Sequence, residues 1–207
     1  MKFPFLSVPR LVALSLFVLV CGMDVARCQG VSTTSASLPL IDFSSPDATK
    51  QVVAAKGVPT GSTITADKTG ITVDFKAWQK GDADHPAFHV APATGKSWDL
   101  SAYGHVEAKV TNTGDKDIKI NVHVVPTGEG FWTERNQEGL QIQPGETKVI
   151  RVIFGYSKGF KPAPPVNTSS IAEIFIFLYH STQPHSFRID SLTAAGVAGE
   201  KPDVPSP

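Results

Sequence analysis

The chain has 207 residues, with 19 Lys and Arg against 19 Asp and Glu and only two cysteines. That length makes one domain with a sizeable core, and the balanced charge, with no basic stripe, argues against binding nucleic acid or strongly acidic polymers. So few cysteines exclude a fold stapled by a disulfide framework.

Lys2 and Arg10 precede an apolar run over residues 11–20, which falls short of the roughly twenty residues of a membrane span and has the build of a secretory signal. Ala26 and Cys28 supply the small residues before a cleavage site, so residues 1–28 are predicted to be a signal peptide. Cleavage there leaves an exported, cysteine-free chain, secreted or held in the periplasm or at the cell surface, with no stable membrane insertion. A lipid anchor would need a cysteine preceded by a small residue, and Cys21 follows Val20.

Residues 29–37, rich in Ser and Thr, are expected to form a disordered tether. A first strand is predicted over 38–43, weaker ones over 51–55 and 62–65, and a clear one over 70–75, with Ile71, Val73 and Phe75 on one face. Residues 78–86 are polar and read as a loop, followed by a short strand over 87–91 that stops at Pro92. Residues 98–154 carry the firmest pattern. Val106, Ala108 and Val110 alternate with His105, Glu107, Lys109 and Thr111, and after a turn at 112–115 the alternation resumes with Ile118, Ile120, Val122 and Val124. It returns over 148–154 after Pro144 and Gly145, so the stretch is expected to form a meander of neighbouring antiparallel strands. Two long polar segments, 127–138 and 155–170, interrupt the strands, and loops of such length often carry function. Residues 171–179 form the most apolar run, 187–194 close the sheet, and 196–207 are expected to be a disordered Pro-rich tail.

Short strands punctuated by Gly, Pro and Asp, with no convincing amphipathic helix, indicate an all-β, two-sheet antiparallel β-sandwich over residues 38–195. A jelly roll is the first expectation and an immunoglobulin-like sandwich the alternative.

The segments LPLIDF, KSWDLSAYGHVEAKVTNTGDKDIKI, QPGETKVIRV and FRIDSLTAAG, in that order, resemble the carbohydrate-binding-module-like domain that precedes the barrel of β-agarases of the family-50 glycoside hydrolase type. The resemblance runs over residues 38–196 and implies a galactose-binding-like jelly roll that serves polysaccharide-degrading machinery as a non-catalytic accessory module, here without the barrel. A galactan or agar-type polysaccharide is the expected ligand, and a partner hydrolase or cell-surface protein a further expected partner.

Sugars stack a ring face on an aromatic side chain while their hydroxyls take hydrogen bonds from polar neighbours. Trp132 with Phe131, Glu134, Arg135 and Asn136 is the best such cluster in the sequence, and Trp78, Tyr156 and Phe160 are further candidates for an aromatic rim. The competing role for Trp132 is to plug the end of the sandwich, and Trp98 is read as such a plug. Asp42 and Asp190 fall where modules of this kind hold a structural calcium, although Ser44 stands where they commonly carry a carboxylate. No other cofactor and no catalytic residue is expected. Glu134, Glu138 and Glu173 show no spacing that pairs them as glycosidase carboxylates. Tyr179, His180, His123 and Arg135 imitate the proton-abstracting set of a small polysaccharide lyase, yet no strand shows the polar and aromatic alternation of such a cleft. His85 with His89, and His105 with His123 on presumed neighbouring strands, are read as solvated rather than metal-binding. A structural or assembly role at the cell surface is the main alternative to sugar binding.

Overall fold

Ile71, Val73 and Phe75 alternate with Thr72 and Asp74, and this period of two lays β4 (Gly70–Phe75) with its apolar set wholly in the core. The computed structural model describes residues 37–128 and 136–203, and within them the same rule places nearly every strand. Val106, Ala108 and Val110 bury one face of β6 (His105–Asn112), and Ile150 and Val152 one face of β9 (Thr147–Ile153). Phe187, Ile189, Leu192 and Ala194 do so on β13 (His185–Ala195). With β3 (Thr63–Asp67) they form one antiparallel sheet in the order β3-β4-β13-β6-β9, and β1 (Leu38–Pro39) lies on β13 beyond the stretch that β4 covers.

The second sheet runs β2 (Val52–Ala54), β5 (Ala87–Val90), β12 (Ile171–Phe177), β7 (Ile118–Pro126) and β8 (Asn136–Ile142). Its inner face carries Phe88, Val90, Ile118, Ile120, Val122, Val124, Ile174 and Ile176, all fully buried against the first sheet or nearly so. Two packed antiparallel sheets make the predicted β-sandwich, held face to face chiefly by apolar contact. A short helix, α1 (Ala48–Gln51), and a small hairpin of β10 (Tyr156–Ser157) and β11 (Lys161–Pro162) complete the elements.

Three expectations need correction. The stretch 98–154 is not a meander of neighbours, because β6 pairs with β13 and β9 in the first sheet whereas β7 pairs with β12 and β8 in the second. The turns at 112–115 and 143–146 are arches between the sheets. Asn112 pins both: its Nδ2 donates to Lys116 O at 2.8 Å and Ile142 O at 2.9 Å, its Oδ1 accepts from Gly114 N, and its carbonyl accepts from Gly145 N. His105 and His123 therefore lie on opposite sheets.

The first predicted strand shrinks to two residues, since Leu40 and Ile41 both turn into the core and Asp42 closes a turn by accepting from Ser44 N and Ser44 Oγ. The tail, expected to be disordered, is engaged by polar contacts as far as Glu200, and Pro202 and Asp203 line a shallow cavity with Glu138, Leu140 and Phe160. Glu200 Oε1 lies 2.5 Å from His105 Nδ1, and Gly104 and Gly196 leave room where a Cβ would strike the Val197 carbonyl or the Glu200 side chain.

Candidate functional site

The outer face of the second sheet is built by the same alternation that buries its inner face. Ile174 and Ile176 point inward, so Glu173, Phe175 and Phe177 point outward, and the line continues past the strand end to Tyr179. Backbone bonds from Leu178 to Pro86 O and from His180 to Asp84 O extend β12 beside residues 84–86 and carry Tyr179 to the end of the sheet. Register then sets the rows across the face. Val53, His89, Phe175, His123 and Gln137 stand opposite one another in turn, and the next row holds Ala87, Phe177, Asn121 and Gly139.

The rings form a connected strip. Phe175 and Phe177 are 5.4 Å apart between centroids, Phe177 and Tyr179 6.1 Å, and His85 lies 5.6 Å from Phe177 and 5.1 Å from Tyr179. At the other end His89 meets Phe175 at 4.9 Å, with its Nδ1 2.9 Å from Glu173 Oε1. Phe177 is sealed, whereas Tyr179 is 52% exposed. Tyr179 and its neighbour His85 are therefore the part of the strip that a ligand can cover.

Beside Tyr179 a groove of about 360 Å³ crosses the strands. Asn121 and Gln137 lie deep in it, Lys119 and Lys158 at its rim, and Gly139 in its floor. Gly139 is required there: a Cβ would stand 2.3 Å from Asn121 Oδ1, so the missing side chain lets the opposing amide lie across β8.

The groove wall is the β10–β11 hairpin, stitched to β8 through Ser157 Oγ, which accepts from Gln137 N at 3.2 Å and donates to Gln137 O at 3.1 Å. Residues 158–160 bend with φ of 47°, 81° and 58° in succession, a left-handed run that side-chain-bearing residues resist by about 1 kcal/mol each. Glu138 compensates. Its Oε2 accepts from Gly159 N at 2.7 Å and Phe160 N at 3.2 Å, its Oε1 accepts from Gly139 N at 3.0 Å, and Lys158 N donates to Gln137 O.

The residues singled out from sequence are distributed as follows. Phe131, Trp132, Glu134 and Arg135 lie outside the described residues, on the segment that joins β7 to β8. Asn136 is fully buried, its Nδ2 donating to Pro164 O and its Oδ1 accepting from Gly155 N, so its amide fastens the long segment after β9. Trp78 is half-buried, 4.9 Å from the exposed ring of His180, with Nε1 donating to Asp82 O. Tyr156 is half-buried in the hairpin, and Phe160 at its tip faces away from the groove toward Leu140, Val149 and Arg151. Trp98 packs against the core and bridges Ile171 through paired backbone bonds.

Asp42 is engaged by Ser44, whose hydroxyl and amide hold its carboxyl below the usual range. Asp190 sits at a bulge in β13 and accepts from Thr111 Oγ1 at 2.6 Å and Arg188 Nε at 2.5 Å. Among the described residues no group of three His, Cys, Asp or Glu side chains gathers as for a metal ion. The alternation of β7 shows in the sequence, but the outward aromatic row of β12 does not. It was hidden because in IFIFLY both faces are apolar, so period two does not show as hydrophobic against polar.

No family model matches the sequence, and no curated protein does. Solved structures share the fold. The chain is similar to part of the agarase AgWH50C, with a TM-score of 0.58 and 12% identity over 79% of this chain, and to part of an exo-β-agarase, with 0.56 and 11% over 79%. It spans 25% of the length of each of those enzymes. It is also similar to a family 11 carbohydrate-binding module from Clostridium thermocellum in complex with a β-1,3-1,4-mixed-linked tetrasaccharide, with a TM-score of 0.50 and 15% identity over 82% of this chain and 100% of that module. The fold is thus the jelly-roll sandwich of carbohydrate-binding modules.

Proposed function

We propose that the chain is a secreted, non-catalytic module that binds polysaccharide along the outer face of the second sheet, with a galactan or agar-type polymer as the first ligand to test. The observation that carries this reading is the exposed ring of Tyr179, beside His85, at the mouth of a groove that offers the amides of Asn121 and Gln137. A pyranose needs that combination: an apolar face to stack on a ring and hydroxyls that both give and take hydrogen bonds. The likeness to carbohydrate-binding modules supports it. Trp132, with Phe131, Glu134 and Arg135, is proposed to extend the contact from the segment that joins β7 to β8.

An open groove covers less of a ligand than a closed pocket, so affinity is expected to be modest, roughly micromolar to millimolar. Affinity electrophoresis in gels containing agarose, carrageenan, alginate or xylan tests the reading. Retardation by one polymer, reduced about tenfold or more in Tyr179→Ala, is the expected result. Unchanged mobility in every gel overturns it, and release of unsaturated oligosaccharide ends would make the protein a lyase instead.

A further inference from the structure

The groove beside Tyr179 is uneven in charge although the chain is neutral as a whole. Lys119, on β7, and Lys158, on the β10–β11 hairpin, stand on its rim, and neither has an ion-pair partner among the described residues. The acid that lines the same groove is Glu138, and both of its oxygens are occupied by the N–H groups of Gly139, Gly159 and Phe160. Its oxygens are engaged in holding the hairpin, and the two lysines outnumber it on the groove.

The hairpin itself supplies a second observation. Three successive residues are kept in the left-handed region, beginning with Lys158. Such strain persists where surrounding contacts over-determine it, and it gathers at sites of function. Here those contacts place a second lysine on the groove that Lys119 also lines.

We infer that the groove takes a glycan bearing anionic substituents, with Lys119 and Lys158 each contacting a sulfate ester or a carboxylate on the sugar, while Tyr179 stacks on a ring and Asn121 and Gln137 bond its hydroxyls. This rests on the carbohydrate-binding reading above and narrows its ligand. An ammonium acts on such groups as a compact point charge with up to three donors, which suits either anion and requires no fixed orientation. Two lysines match the one or two anionic substituents that fall within the groove and require no longer basic track, consistent with the absence of a basic stripe. The contacts are solvent-exposed, so salt weakens them.

The test compares neutral agarose, sulfated carrageenan and the polyuronate alginate in affinity electrophoresis, at low salt and at roughly 0.5 M NaCl. The wild type, Lys119→Ala with Lys158→Ala, and Tyr179→Ala are run in parallel. Retardation by carrageenan or alginate should exceed that by agarose and should fall about two- to fivefold per lysine removed, the size expected of exposed ion pairs. High salt should have the same effect, and which of the two charged gels retards the protein identifies the anion. Agarose retarding the wild type and the double variant equally well, with carrageenan and alginate no better, overturns this inference and leaves the carbohydrate reading intact. No retardation in any gel overturns both. Because the two lysines are exposed, the double variant should keep the wild-type unfolding midpoint, which separates lost binding from lost folding.

Discussion

Glu138 shows how one side chain can serve the fold by occupying what would otherwise be a binding element. Two successive N–H groups in a left-handed turn form a small anion-binding concavity, and at Gly159 and Phe160 that concavity is filled by the protein's own carboxylate. Removing it leaves the two donors without that acceptor and the strained backbone without its brace. Glu138→Ala is expected to cost about 1–3 kcal/mol and to speed amide exchange at Gly159 and Phe160, with Glu138→Gln intermediate because one oxygen acceptor remains. Exchange that is unchanged at both amides would show that the hairpin holds without the carboxylate. Gly139 makes the complementary point. A methyl group there would displace Asn121 from the groove floor, so Gly139→Ala should lower the denaturant midpoint by an overpacking cost of about 1–3 kcal/mol and weaken glycan binding together with it.

At the scale of elements, the turns and the strand ends respond to acid in different ranges. Ser44 holds the Asp42 carboxyl below its usual value, Thr69 does so for Asp67 and Ser101 for Asp99, and the Gln143 amide with Lys148 does so for Glu146. Each of these groups binds its proton less readily folded than unfolded. Their contribution is present above the ordinary carboxylate values of 3.8 and 4.5 and is lost as pH falls through the lower folded values. His185, at the start of β13 opposite Phe75, is lowered from 6.5 by burial, with Asp115 pulling the other way. The unfolded chain therefore takes up this proton first, and stability falls as pH drops from 6.5 through the folded value. Urea midpoints measured between about pH 7 and pH 3 should show both losses, and His185→Gln should flatten the upper one alone. A slope near pH 6 that survives in His185→Gln would assign it to another group.

Elements also show how far the sequence could be read. Strands with one polar face, such as β4, β6 and β7, announced their inward residues correctly, because alternation reports the face directly. Alternation is silent on partners, so the arches pinned by Asn112 read as hairpins and placed β7 beside β6. It is silent too where both faces are apolar, which hid Phe175, Phe177 and Tyr179 as an outward row. Of the candidate site, Tyr179 and His123 were noticed for a different chemistry. Lys119, Asn121, Gly139 and Lys158 had no signal of their own, because their role comes from register and from a hairpin 20 residues along the chain from Gln137.

For the whole molecule, the decisive feature is that the strands at the centre of each sheet come last in the sequence. β12 sits between β5 and β7, and β13 is bonded to β4, β6 and β1, so that Leu38 stands opposite Ala194. Neither sheet has a continuous ladder until these strands arrive, and every pairing they make closes a long loop. Folding should accordingly be slow for the chain's size, on the order of milliseconds to seconds, as in other sandwiches dominated by distant contacts. The same topology separates two truncations that differ by one strand. Ending the chain before His185 removes the partner of β1, β4 and β6 and exposes Phe88 and Val106, so the product should show no cooperative unfolding. Ending it after Ala195 removes only the strap over His105, which is attached through Glu200 and buries little apolar surface. That product should keep its β-sheet circular dichroism and a single sharp transition, since both central strands remain in place. Loss of the transition only in the chain ended before His185 is the expected result; loss in both would make the strap part of the cooperative unit.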